Sequence, residues 1–324
     1  MYILSFSGLV RGEFVSRPNR FLALVRVNGE VRKAHVHDPG RLKELFRPGT
    51  PLLLLPKRGA KTDYQVIAAH RERYGWIFIH SGYHSIIAKK IIEFHALPEF
   101  EDVVAYGKEI QVDSHRIDFL ISYPDRDVLA EVKGCTLFRN DFALFPDAPT
   151  KRGKAHLDIL SKYGDSILVV LVMSDTPRYF APNAETDPAF HTAFLHALSK
   201  GVHVVPLTFS FDGRVLRYTG RIPFTSDAYD RRLLDLGGTA AAAVKEYNGR
   251  FGPESTAVFS GVYSVDGIPY VRVVFHGVFC RSCGVYDYFE DYALVLEELG
   301  VRSAPENVRR FGNAFVVQYK VQAF

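Results

Sequence analysis

The chain has 324 residues, enough for two or three domains, and its 47% hydrophobic and 23% charged content is that of an ordinary globular protein. No apolar run approaches the ~18 residues of a membrane helix. Met1-Tyr2-Ile3-Leu4-Ser5-Phe6 has neither a charged n-region nor a small-residue cleavage site, so neither a membrane span nor a signal peptide is expected. Three Cys argue against a disulfide framework and for the cytoplasm. The net charge of +4 permits a nucleic-acid partner without demanding one, and 26 Arg against 14 Lys suits bidentate phosphate contacts.

Residues 12–80 read as β-rich. Runs 21–27 and 30–36 flank Asn28-Gly29, a strong hairpin turn, and 51–57, 64–72 and 76–80 supply three more strands. Five short strands with one brief helix near 41–46 suit a small barrel of the OB type, a fold whose basic and aromatic side chains often grip nucleic acid. Arg17, Arg20, His35, His37 and Arg41 are the candidate contacts. The competing reading pairs Arg20 and Arg41 with acids such as Asp38 and Glu44, and two alternating His do not make a metal site.

A helix is expected over 85–95 and a strand over 106–112. Next come 115–123 and 128–136, rich in Val, Ile, Leu and Phe and separated by Pro124-Asp125-Arg126-Asp127, a turn composition. With a four-residue loop, Tyr123 pairs with Val128, Asp118 faces Lys133, and Glu131 faces Leu120 on a diagonal to Asp118. Alternation puts Asp118, Glu131 and Lys133 on one face and Ile117, Phe119, Ile121, Ala130 and Val132 on the other, which is core material. Diagonal partners lie about 7–8 Å apart, so the two carboxylates can hold one Mg²⁺ or Mn²⁺ between them, completed by water and phosphate oxygens. Lys133 beside them can hold a water or a phosphate oxygen. The plainer reading is a solvated face with a weak ion pair. Apolar runs on both sides of the charges suggest instead a central strand, where unpaired charge is costly.

Pro149 and Gly164 bracket a helix over 150–163, in which Arg152 and His156 share a face. The wholly apolar 166–173 reads as a parallel-sheet strand, Asp187 caps a helix through residue 200, and 202–207 is a further strand. Beyond residue 223 come a helix over 239–250, a hairpin of 257–265 and 270–279 around Asp266-Gly267, a helix over 286–299 and a closing strand over 314–322. His276, Cys280 and Cys283 have the spacing of a zinc half-site. Structural zinc takes four ligands, Asp287 is the only added candidate, and the reading favours plain core cysteines over Zn²⁺. No Gly-rich phosphate loop points to a sugar- or nucleotide-handling enzyme, and nothing in the chain sets an oligomeric state.

Asp118, Glu131 and Lys133 on adjacent strands resemble the PD-(D/E)XK nuclease core. The run Phe145-Pro146-Asp147-Ala148-Pro149-Thr150-Lys151-Arg152-Gly153 with His156-Leu157 resembles the sugar fermentation stimulation protein A family. So do Arg17-Pro18-Asn19-Arg20-Phe21 and Ala34-His35-Val36-His37-Asp38-Pro39-Gly40-Arg41-Leu42. The resemblance spans about residues 10–210. It implies an OB-like nucleic-acid-binding barrel over 1–82 and a nuclease-like domain over 83–222; the elements read beyond residue 223, outside the resemblance, add an α+β domain of unknown role over 223–324, so the chain is α/β plus all-β in three parts. It also implies DNA as partner, with RNA second. Asp118 and Glu131 would be metal ligands, with Lys133 serving the chemistry. Arg17, Arg20, His35, Arg41, Arg152 and His156 would contact nucleic acid. The alternative is a DNA-binding regulator of sugar metabolism with a vestigial site. One departure stands out: the family's acidic residue on the helix before the first core strand falls near Lys89, with Glu93 one turn on.

Overall fold

The computed structural model describes residues 1–57, 61–281 and 284–324, apart from the side chains of residues 280 and 281. The zinc reading of Cys280 and Cys283 therefore lies outside the described residues. Strand β1 (Tyr2–Ser5) leads into a barrel of β2 (Val10–Asn19), β3 (Leu22–Val27), β4 (Glu30–His35), β5 (Pro51–Pro56) and β6 (Tyr64–Arg71). The order β4-β3-β2-β5-β6 closes on itself because β4 also pairs with β6, in parallel. The β3–β4 turn is the expected one, with φ of +51° at Asn28 and +83° at Gly29.

Two expectations for this region are corrected. The fifth barrel strand is β2, while β7 (Gly75–Phe78) leaves the barrel and joins the neighbouring sheet through Trp76 and Phe211. Strand β2 escapes a composition-based reading because only Gly12 and Phe14 of its ten residues are fully buried. Gly12 is required there, since a Cβ would lie 2.7 Å from Leu54 Cδ1 and 3.0 Å from the Arg26 carbonyl. The helix expected over 41–46 is a single turn in which Leu45 N and Phe46 N donate to Leu42 O, and Leu42 at φ +49° keeps Arg41 and itself out of any helix.

Helix α1 (His84–Glu93) opens the central α/β part. It is followed by β8 (Ala105–Val112), β9 (His115–Ser122) and β10 (Asp127–Cys135). The short hairpin β11 (Leu137–Arg139) and β12 (Phe142–Phe145) precedes α2 (Lys151–Tyr163) and β13 (Ser166–Val172). Then come β14 (Tyr179–Pro182), α3 (Pro188–Ser199), β15 (His203–Phe211) and β16 (Val215–Arg221). The sheet runs β8-β9-β10-β13-β15, with β10, β13 and β15 mutually parallel. Every residue of β13 is buried, as its apolar composition requires. Thr150 and Asp187 cap α2 and α3 through bonds from Gly153 N and Phe190 N.

A second sheet starts inside the central part. Its order is β11-β12-β14-β17-β18-β19-β21-β20, with β17 (Phe224–Thr225), β18 (Thr256–Val265), β19 (Ile268–His276), β20 (Arg302–Phe311) and β21 (Ala314–Ala323). Helices α4 (Arg231–Phe251) and α5 (Val285–Glu298) both pack on the C-terminal strands of that sheet. The residues after 223 thus continue a sheet begun by β12 and β14. Arg272 of β19, 2% exposed, pins the seam by donating to the carbonyls of Val202 at 2.8 Å and Leu198 at 3.1 Å. No helix among the described residues is long and apolar enough to cross a membrane.

Candidate functional site

Strands β9 and β10 pair with Leu129 opposite Leu120 and Ala130 opposite Phe119, and Tyr123 N donates to Arg126 O at 2.8 Å. The loop is therefore the two residues Pro124 and Asp125, not four, and the expected register is corrected by two positions. An even slip keeps every side chain on its face. Ile117, Phe119 and Ile121 are 0% exposed, as expected of the core side. The partner of Asp118 changes, however. Continuing the ladder by one step sets Asp118 opposite Glu131, where Lys133 had been expected.

The two carboxylates lock to each other's strands. Glu131 Oε2 accepts from Asp118 N at 3.3 Å, and Asp118 Oδ2 accepts from Val132 N at 2.8 Å. Burial, reinforced by the Glu131 charge, pushes the Asp118 carboxyl up to about 6. Burial acts on Glu131 in the same direction, but the Lys133 ammonium and His156 outweigh it and hold Glu131 below the usual carboxylate range. Glu131 Oε1 accepts from both Lys133 Nζ and His156 Nδ1. Arg152 Nε donates to His156 Nε2 at 3.2 Å, so Nδ1 of that ring carries the hydrogen. Arg152 and His156 thus form a brace behind Glu131.

Glu93 does not join this group: it pairs with Lys89 at 3.1 Å and accepts from Tyr106 Oη at 2.6 Å. Among the described residues, no three His, Cys, Asp or Glu side chains converge as a metal cage would need. The donor set is two carboxylates, one of them raised by burial and by the charge of the other. That suits a hard divalent cation finished by water and ligand oxygens.

The carboxylate–lysine group stands beside an open cleft of about 540 Å³ between the barrel and the central part. Arg20, Asp38, His84, Lys133, Asp147 and Arg152 are among its walls. The cleft is held open by a built seam. Asp147 Oδ2 accepts from Leu42 N at 3.1 Å, and Gly40 lies so close that a Cβ would meet Asp147 Oδ2 at 2.5 Å. Burial and the nearby Asp147 raise the Asp38 carboxyl to about 6. Across the seam, Arg71 Nη1 donates to Phe138 O at 2.9 Å, and Tyr74 Oη to Asn140 O at 3.0 Å.

The remaining expected contacts divide. The Arg17 guanidinium is spent on the carbonyls of Gly40, Arg41, Arg20 and Asp38, at 2.6–3.0 Å, and organises the loop. Arg20 lines the cleft and stacks on Phe21, with Cζ 4.9 Å from the ring centroid. Arg41 is exposed. His35 Nε2 lies 3.3 Å from His37 Nδ1, and His37 stacks on His80 with ring centroids 4.6 Å apart. Sequence reasoning missed His84, Asp38, Asp147 and Gly134. Asp38 and Asp147 sit inside the two longest motifs, which pointed to them. His84 carried no signal.

An OB barrel hydrogen-bonded to an α/β sheet, with paired carboxylates beside the joint, is the architecture these residues define. Family models match in the same two places: the SfsA N-terminal OB domain over residues 15–79, and the sugar fermentation stimulation protein RE domain over residues 82–214. The chain belongs to the sugar fermentation stimulation protein family. A homolog from Methanothermobacter thermautotrophicus is 43% identical over 210 residues, covering 63% of this chain and 87% of that protein. One from Thermoplasma volcanium is 39% identical over 232 residues, covering 70% of this chain and all of that protein. The solved structure of Pyrococcus furiosus SfsA in complex with Ca²⁺ matches with a TM-score of 0.64 and 27% identity, covering 69% of this chain and 99% of that one.

Proposed function

We propose that the protein is a nucleic-acid-binding, divalent-metal-dependent phosphodiesterase, acting on DNA in the cleft between barrel and central sheet, in a cytoplasmic setting. The observation that carries this reading is the apposition of Asp118 and Glu131, with Lys133 on the same face. Burial raises the Asp118 carboxyl to about 6 and the Glu131 charge opposite adds to it; a cation between the two removes the repulsive part of that penalty. Asp118 and Glu131 would hold Mg²⁺ or Mn²⁺, which polarises a phosphodiester and activates water. Lys133 would face the developing negative charge. Arg20 and Arg41 would neutralise backbone phosphates along the barrel. That a relative at 27% identity was solved in complex with Ca²⁺ supports a divalent ion.

A specific observation favours a second reading, a DNA-binding regulator without catalysis. Glu131 is already satisfied by Lys133 and His156, and helix α1 offers only the Lys89–Glu93 pair where the resemblance implies a third acid. Labelled DNA and RNA, single- and double-stranded, incubated with Mg²⁺, Mn²⁺ or EDTA, separate the two. Cleavage that needs the ion supports the first reading. Salt-dependent binding without cleavage supports the second.

A further inference from the structure

We propose that His84 contacts the substrate in this cleft, its imidazole donating a hydrogen bond to a non-bridging phosphate oxygen of bound nucleic acid, beside Lys133. The assignment rests on the nucleic-acid reading above and names a residue that reading does not use. His84 is the first residue of α1, and the Cε1 corner of its ring sits against Gly134, the residue after Lys133. A Cβ at Gly134 would meet His84 Cε1 at 2.1 Å and Nε2 at 2.6 Å, so only glycine admits the ring. Both residues line the cleft.

Nε2 of His84 is shielded from solvent, so Nδ1 is the nitrogen a ligand in the cleft would meet, and neither nitrogen bonds to another of the described residues. A ring nitrogen that the protein leaves unbonded is free to bond a ligand that reaches it. His156 is the useful contrast: both of its nitrogens are committed, to Glu131 and to Arg152. His80 has Nε2 taken by Gln65 at 2.6 Å. Among the described residues no carboxylate or carbonyl bonds to His84 to fix a tautomer or steady an imidazolium, which is what a general base needs. Burial, with His80, Lys133 and His37 nearby, lowers its pKa to about 4, so the ring is neutral. A neutral donor in a basic cleft is a binding group, not a proton carrier.

The test compares His84→Phe, which keeps a ring over Gly134 but no donor, with His84→Gln, which keeps an N–H. Binding of a short fluorescent DNA oligonucleotide is read by anisotropy without divalent ion, alongside thermal melts of each variant. His84→Phe should weaken binding about tenfold and His84→Gln by less than about threefold, with similar melts. Gly134→Ala, which displaces the ring, should resemble His84→Phe. Wild-type affinity in His84→Phe, with the wild type binding, overturns the His84 assignment alone. So does a Gln variant as weak as the Phe variant. A wild type that fails to bind at low salt overturns the nucleic-acid reading, and this assignment with it.

Discussion

Asp118 and Glu131 stand opposite each other on neighbouring strands, and each carboxylate is tied to the other's strand by a main-chain N–H, at 2.8 and 3.3 Å. The geometry is therefore set by the backbone and does not wait for an ion. What an ion changes is charge. Asp118 in the fold titrates near 6, above the ordinary 3.8. A raised carboxylate pKa favours the fold in acid. The penalty for ionising Asp118 is absent below pH 3.8, grows between there and 6, and is complete above it.

Asp118→Asn keeps an acceptor for Val132 N and removes the charge. Without divalent ions it should melt above wild type at pH 7.5, by of order 1–2 kcal/mol after allowance for partial exposure, and should match wild type near pH 4. Wild type should gain stability with Mn²⁺, and the variant should not. Calorimetric Mn²⁺ titration of both proteins decides the matter. Equal titration would reduce the three charges to a solvated sheet face.

The hairpin shows how far sequence reached. Alternation fixed which residues share a face, because that parity survives any even slip. The register itself was misread, because Pro124-Asp125-Arg126-Asp127 is turn-like throughout and composition does not show where pairing resumes. The family motifs led to the seam residues, yet their purpose is tertiary: Asp147 grips Leu42 N across 105 positions of sequence. The same contact falls at the start of the single turn over 41–46, where Leu42 sits at positive φ. Strands β11, β12 and β14 are three or four residues each and lie among turn residues, so the start of the second sheet was invisible.

Arg17 and Arg20 sit in one motif and should behave differently. Arg17→Ala leaves four carbonyls without their donor and should cost about 2–3 kcal/mol. Arg20→Ala and Arg41→Ala should stay within about 0.5 kcal/mol of wild type. Those two should weaken DNA binding about equally for all sequences and each lower the salt slope by roughly one. Chemical denaturation together with a salt series checks both halves. An unchanged slope in Arg20→Ala and Arg41→Ala would remove the barrel from the binding surface.

The region after residue 223 is expected to be a structural partner of the central part. A domain boundary at residue 222 would let residues 1–222 fold alone. Here, however, Arg272 is buried against Leu198 and Val202, and Phe224 packs on Phe194 with ring centroids 6.1 Å apart. Arg272→Met should lose about 3 kcal/mol or more, because two buried carbonyls lose their donor. The 1–222 fragment should bind a hydrophobic dye and self-associate in sedimentation. A monomeric fragment with a sharp melt would show that the seam is dispensable.

On the proposed reading, variants of Lys133 separate holding a metal from using one. Its ammonium and His156 occupy Glu131 Oε1, so in the ion-free protein they compete with any cation for that oxygen. Lys133→Met removes one competitor and one positive charge from the immediate surroundings of the carboxylates. Mn²⁺ should therefore bind at least as tightly as to wild type by calorimetry, because neither carboxylate has been touched. Cleavage should fall by about a hundredfold or more, the scale seen when a group facing transition-state charge is deleted. Loss of Mn²⁺ binding would mean that Lys133 is needed to hold Glu131 in place. Unchanged cleavage with Mn²⁺ bound would take Lys133 out of the chemistry and leave the carboxylate pair to act alone.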